Sequence, residues 1–234
     1  ETDDDNLPLK NFFLKKKIGV EYSYHSKKAG WVNVYKKYTK KNIWPRGFAL
    51  EKLNLPLTKK FTSLKMKYPI QQGLADKNPD VDAIYRLTGK LPISFHSSKN
   101  ISLGKGSICP FNSQNTGWLK EAFPLMYLPS YCSFRMTDIW RSFIAQRVAW
   151  TCGWSILFHR STVIQERNHH DLIKDFEEEV SGYQNNFKIM NKLIKLKLKP
   201  GIENIKYNMT LCYKELINMK IIDKKELKLL RSWF

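Results

Sequence analysis

Glu1-Thr2-Asp3-Asp4-Asp5-Asn6, followed by Leu7-Pro8, opens the chain, and its reading decides what the remainder is taken to be. Three consecutive carboxylates repel one another and Pro8 has no backbone donor for a helix or a central strand, so these residues are expected on a turn. Hard oxygen ligands on a turn suit a divalent cation such as Mg²⁺ or Mn²⁺, above all one that completes its coordination with the phosphates of a substrate. Taken alone, the run reads more readily as a solvated acidic terminus, because charge runs usually are.

The 234 residues suffice for one sizeable core, with or without a smaller appendage. Seven Trp, eleven Tyr and thirteen Phe argue for a packed fold rather than disorder. The chain does not begin with Met, and its opening residues look like the end of an element, so an upstream half is expected before Glu1. A net charge of +19 favours an anionic partner such as a nucleotide, a nucleic acid or a membrane surface, or else lysines that simply solvate the surface. Nucleic acid is supported by charge alone, since no zinc-finger, RRM or helix-turn-helix pattern accompanies it, and it is not the expected partner. Cys109, Cys132, Cys152 and Cys212 form no CxxC pair and read as free buried thiols. No run of 18 apolar residues spans a membrane within the chain.

Residues 10–43 alternate lysine-rich patches with aromatics and predict loops with one or two short elements. In Trp44-Pro45-Arg46-Gly47, Pro45 fixes its own backbone and Gly47 permits a sharp bend, so Arg46 is presented rigidly, to a phosphate or to a structural partner such as Trp44. Residues 81–88 are β-branched and aromatic enough for a strand, which would place Asp80 and Asp82 on one side, facing a hydroxyl network or an arginine. Gly89 to Gly106 reads as a surface loop. Asn112 and Asn115 lie in an amide-rich run framed by aromatics, which suits sugar hydroxyls or a hydrogen-bonded turn. A helix is predicted from an N-cap at Thr137, with Trp140 and Phe143 facing the core and Asp138 and Arg141 near the start, where ligands bind. Trp154–His159 predicts a short buried strand ending in His159, a metal ligand or an ordinary capped residue. Asn168 to Val180 predicts a helix whose Glu177-Glu178-Glu179 run opposes the dipole near its end and calls for a neighbouring cation. After Tyr183, helical periodicity, a Pro200-Gly201 break and a capping box over Asp223–Glu226 predict a helical appendage. The domains expected are 1–182 and 183–234.

The order of these motifs resembles the STELLO-type glycosyltransferase family. The resemblance runs through the acidic turn, Trp44-Pro45-Arg46-Gly47-Phe48, Gln71-Gln72-Gly73-Leu74, Pro79-Asp80-Val81-Asp82-Ala83, Pro110–Thr116 and Asp138-Ile139-Trp140-Arg141, across about residues 1–180. The family in turn is similar to the reversibly glycosylated polypeptides and their UDP-arabinopyranose mutases. The resemblance implies an α/β, GT-A-like nucleotide-diphosphosugar transferase fold, of which this chain carries the acceptor-side portion with its nucleotide-binding half upstream. It implies a glycosyltransferase that uses Mn²⁺ or Mg²⁺ and a nucleotide-sugar donor, a UDP-sugar, toward a glycan or protein acceptor. It also implies a Golgi or endomembrane location, if an anchor precedes Glu1. Asp3, Asp4, Asp5 and His159 are the implied metal contacts, and Arg46 and Asp138 the implied catalytic pair, Arg46 by sugar attachment or diphosphate binding. Trp44, Gln72, Asp80, Asp82, Asn112, Asn115, Trp140 and Arg141 are the implied substrate contacts. Phe48–Lys52 lacks the second arginine of the mutases, which counts against mutase activity. A non-catalytic partner of a membrane-bound polysaccharide synthase is the alternative role.

Overall fold

Two continuously buried runs make the centre of the sheet. Residues 68–75 and 154–158 are buried without alternation, the pattern of strands covered on both faces. The computed structural model describes residues 1–10, 12, 18–26, 29–54, 61–96 and 99–234; of the lysine-rich stretch 10–43, positions 11, 13–17 and 27–28 lie outside the described residues. Its strands are β1 (Asn6–Pro8), β2 (Ile18–Tyr24), β3 (Gly30–Trp31), β4 (Phe61–Asp76), β5 (Ile101–Leu103), β6 (Ser107–Ile108), β7 (Thr116–Trp118) and β8 (Trp154–Gln165). Six of them form one sheet in the order β1-β8-β5-β2-β4-β7, while β3 and β6 pair separately. The first half of β4 runs antiparallel to β2 and the second half parallel to β8. Because β5 bridges β2 and β8, those four strands curl round and close on one another. Pro8 sits in the edge strand β1, where its missing donor disturbs no ladder.

The helices are α1 (Ala83–Thr88), α2 (Thr137–Ala149), α3 (Leu172–Leu193), α4 (Ile205–Asn218) and α5 (Glu226–Trp233). Helix α2 packs between β8 and the pair α3 and α4, so all its residues from Asp138 to Ala149 except Arg147 are buried. The fold is therefore mixed α/β, with a curled sheet and helices. Among the described residues no helix is long and apolar enough to cross a membrane.

Several local expectations are corrected. Residues 83–88 form a helix, because the Asp82 carboxylate caps it by accepting from the Tyr85 N–H at 2.8 Å, which outweighs β-branched composition. Thr137 does not cap α2; a 3₁₀ turn over Phe134–Met136 leads into it, and the Thr137 hydroxyl donates back to the Phe134 carbonyl at 3.0 Å. The 89–106 loop contains β5, which is buried throughout. β8 continues six residues past His159. The Glu177–Glu179 run lies in the first half of a 22-residue helix, where it does not oppose the dipole, although the cation it called for exists in Arg135. Helix α3 runs without a break through position 183, and its Asn186 donates to the Gly47 carbonyl at 3.0 Å. The Glu226 side chain does not complete a capping box. It is buried and accepts from the Tyr127 hydroxyl and from the N–H groups of Ser130 and Tyr131, at 3.0 and 2.8 Å. The four cysteines are free, and burial pushes the Cys109, Cys132 and Cys212 thiols up to about 12.

Candidate functional site

The acidic turn is where the sequence places it and is held from two sides. Pairing of Asn6 with Gln165 brings Asp5 beside the end of β8, where its carboxylate accepts from Gln165 Nε2 at 3.0 Å and from the Asn168 N–H at 3.1 Å. On the other side the Gln114 carbonyl accepts from the Asp3 N–H at 3.2 Å and from Asn6 Nδ2 at 2.5 Å. The loop supplying Gln114 is shaped by β4. Gln72 Oε1 accepts from the Asn112 N–H at 3.0 Å and the Thr116 hydroxyl at 2.8 Å, and Gln72 Nε2 donates to the Asn115 carbonyl at 3.0 Å. The Asn115 amide reaches over Gly73 to the Leu74 carbonyl at 3.0 Å, and a Cβ on Gly73 would come within 2.4 Å of it. Gln72, Asn112 and Asn115 are thus the frame that positions the turn.

Asp3, Asp4 and Asp5 form one side of a cavity of about 370 Å³, whose floor holds Arg46, Asp80 and Asp138. The bend that delivers Arg46 requires glycine at 47, since φ is +81° there and a Cβ would meet Ile139 at 2.3 Å. The Arg46 guanidinium is fully engaged. Nε donates to Asp80 at 2.8 Å, Nη1 and Nη2 grip Asp138 at 3.0 and 2.8 Å, and Nη1 also reaches the Arg135 carbonyl. Asp138 further accepts from the Ser113 N–H at 3.1 Å. Burial pushes the Asp80 carboxyl up, but Arg46 outweighs it and holds it below the usual carboxylate range.

The opposite wall is basic. Arg135, Arg167 and His170 line the cavity and converge on Asp175, from which Arg167 lies 2.7 Å, His170 3.5 Å and Arg135 3.7 Å away. Glu179 holds Arg135 by two further bonds of 3.0 and 2.7 Å. Two acceptors at the cavity lack donors: Asp80 Oδ2 and Gln165 Oε1 are buried without a partner among the described residues. Asp3 accepts from Gln165 Nε2 only at 3.4 Å and is pushed up to about 6 by its own burial and then by Asp80, Asp5 and Asp138, against Arg46. That donor set fits a cation. Among the described residues no three His, Cys, Asp or Glu side chains come together to enclose a metal by themselves, so a cation here would share its coordination with a ligand's oxygens.

The remaining expected residues lie outside this cavity. Trp44 Nε1 donates to Asp82 at 2.5 Å, making both part of the α1 cap. Trp140 donates to Asn186 at 2.9 Å and so ties α2 to α3. Arg141 grips the Glu1 carboxylate at 2.7 and 2.9 Å and stacks over the Trp118 ring at 5.1 Å. His159 pairs with Gly73, and the six strand residues separating it from Gln165 amount to about 20 Å. Burial lowers its pKa. Conversely, Arg135, Arg167, His170 and Gln165 belong to the cavity and were not singled out from the sequence. The polar run Gln165–His170 directly after an apolar strand was the available signal.

Comparison with known proteins adds the family. The model of the family described as STELLO glycosyltransferases matches residues 135–234, which takes in Arg135, Asp138, Gln165, Arg167, His170 and also the helices after Tyr183, for which the sequence offered no motif. The Arabidopsis thaliana protein named probable glycosyltransferase STELLO2 is 31% identical over 153 residues, covering 62% of this chain and 20% of that protein. Probable glycosyltransferase STELLO1 of the same plant is 30% identical over 143 residues, covering 57% of this chain and 18% of that protein. The chain therefore spans about a fifth of the length of these curated relatives. In the matched residues, in the two relatives and in the order of its motifs, the chain is similar to the STELLO-type glycosyltransferase family.

Proposed function

We propose that the cavity binds the diphosphate of a nucleotide-sugar donor, a UDP-sugar, together with Mn²⁺ or Mg²⁺, as the donor site of a metal-dependent transferase of the GT-A kind. The observation that carries this is the division of one cavity into a carboxylate side with unmatched acceptors and a side carrying two arginines and a histidine. A cation alone would use only the first, and a bare phosphate only the second. A metal diphosphate uses both.

Asp3 and Asp5 are the residues that would hold the cation, which when bound supplies Lewis-acid stabilisation of the charge that builds on the leaving diphosphate. Gln165 and the Asn168 N–H orient Asp5 for that role. Arg135 and Arg167, fixed by Asp175 and Glu179, present donors to phosphate oxygens without having to be ordered first. Arg46 serves here as the strut under Asp80 and Asp138. Sugar attachment at its guanidinium would first require release of two carboxylates. The glycan acceptor implied by the family would approach from the open side, where Phe134, 80% exposed, and Leu128 flank the mouth.

Calorimetric titration tests this with pyrophosphate and with a UDP-sugar, each in the presence and absence of Mn²⁺. Binding is expected to require Mn²⁺, and Asp5→Asn and Arg167→Gln should each weaken it at least about tenfold, equivalent to about 1.4 kcal/mol. Affinity that is independent of Mn²⁺ and indifferent to Asp5→Asn would overturn the reading. Phe134→Ala separates the two ligands. If Phe134 stacks on the base or the sugar, the variant loses affinity for the UDP-sugar, by the roughly 1–3 kcal/mol of a base–aromatic stack, while pyrophosphate binding is unchanged. Unchanged affinity for both ligands would remove the ring from the site.

A further inference from the structure

At the other end of α2 the chain builds a second concave site that the donor reading does not use. Arg147, nine residues after Asp138 and so about 14 Å along the helix, lines a cavity of about 520 Å³ with Trp150, Ile194, His25 and Lys105. Its guanidinium is fixed without a carboxylate. Nε donates to the Leu193 carbonyl at 2.9 Å, in the last residue of α3, and Nη2 to the Leu196 carbonyl at 2.6 Å, three residues beyond the helix. Among the described residues no acidic side chain forms an ion pair with Arg147, and none lines the cavity. Lys105 is brought to the mouth by a loop pinned between the Ser26 and Gly30 N–H groups, whose bonds to the Lys105 and Gly106 carbonyls are each 2.9 Å.

Two further polar atoms in this wall are unmatched. Among the described residues, Trp150 Nε1, a donor only, is buried with no acceptor, and His25 Nε2 is buried with no partner. Burial lowers the His25 pKa, so the ring is neutral near pH 7 and Nε2 can carry its one proton. Buried N–H groups are almost always paired in folded proteins, so a cavity with an orphaned indole N–H, a guanidinium, an ammonium and no carboxylate has all the donors of a binding site without the acceptor. The volume exceeds what a small oxyanion needs, and the Trp150 ring and Ile194 supply an apolar wall beside the charges. We propose that this cavity binds a phosphomonoester, with phosphate oxygens on Arg147, Lys105 and Trp150 Nε1 and the organic portion against the Trp150 ring and Ile194. The same chemistry could be presented by a soluble ester or by a lipid headgroup.

The test uses the whole chain carrying Arg167→Gln, so that the first cavity does not contribute phosphate binding. Calorimetric titration with inorganic phosphate is expected to saturate. Adding Trp150→Phe, which keeps the ring and removes only the orphaned N–H, or Lys105→Gln should weaken it at least about tenfold. Circular dichroism melting of each variant verifies that the fold is retained. Co-sedimentation with phosphatidylcholine vesicles, with and without phosphatidate, distinguishes the sources. Capture that requires phosphatidate and falls with Trp150→Phe assigns a lipid phosphate, whereas saturation by free phosphate without capture assigns a soluble ester. Failure of both phosphate and phosphatidate to bind overturns the proposal, as does binding that Trp150→Phe and Lys105→Gln leave unchanged.

Discussion

Replacing Arg46 with Met is expected to cost about 3–5 kcal/mol of folding stability, because it strands two buried carboxylates on one missing charge. Arg46 is 7% exposed, and Asp80 and Asp138 are 6% and 7% exposed, so water replaces little of what is lost. Arg46→Lys should recover only part of the difference, since one ammonium cannot span Asp80, both oxygens of Asp138 and the Arg135 carbonyl. The pH dependence identifies the cause. With Arg46 present, the Asp80 carboxyl sits below its unfolded value, so its contribution is complete above that value and is lost as pH falls through the folded one. Without Arg46, burial is the dominant influence and pushes the carboxyl up, so the variant's deficit should be largest near neutral pH and shrink as acid protonates it. Denaturant unfolding near pH 7 and near pH 5 measures both effects. A loss below about 1 kcal/mol, or one of equal size at both pH values, would mean that the ion pair is not what holds the cavity floor.

What could be read from the sequence was what local chemistry dictates. Asp4 and Asp5 sit on a turn because adjacent carboxylates and a following proline leave little else, and Arg46 stands at a bend because Pro45 and Gly47 make one. The helices after Tyr183 announce themselves by period. What could not be read depends on partners far along the chain. Residues 83–88 have the composition of a strand, and the balance is tipped by the Asp82 side chain and by Glu179, which accepts from the Ala83 N–H at 2.9 Å across 96 residues. Gln72, Asn112 and Asn115 have the chemistry of sugar contacts but direct it at the protein itself, Gln72 at the backbone of Asn112 and Asn115, Asn112 at the Gln114 N–H and Asn115 at the Leu74 carbonyl and Thr162 hydroxyl, and only the register of β4 against β7 shows this. Single arginines such as Arg135 and Arg167 form no motif. Their meaning comes from Asp175 and Glu179, which α3 carries to the cavity wall.

Glu179 is therefore the residue whose loss should be felt both in stability and at the basic wall. It is fully buried, with Oε1 accepting twice from Arg135 and Oε2 accepting from the Ala83 N–H at 2.9 Å and the Tyr183 hydroxyl at 2.6 Å. Glu179→Ala is expected to cost about 3–5 kcal/mol, the range for breaking a buried pair and leaving its partner charged. Glu179→Gln keeps the shape but turns an NH₂ group toward donors, either Arg135 or the start of α1, so it should not rescue. If the loss comes from the abandoned guanidinium, Arg135→Met combined with Glu179→Met should cost less than the sum of the single changes, with a coupling of about 1–3 kcal/mol. Strict additivity in denaturant unfolding would show that Glu179 acts through α1 alone. The functional consequence follows from the shared carboxylate. Arg135 lies 3.7 Å from Asp175, which already binds Arg167 at 2.7 Å, so an Arg135 released from Glu179 competes with Arg167 for the same oxygens. Pyrophosphate binding should then weaken in Glu179→Ala protein that still folds, because two cations that the native helix holds apart would be drawn to one anion.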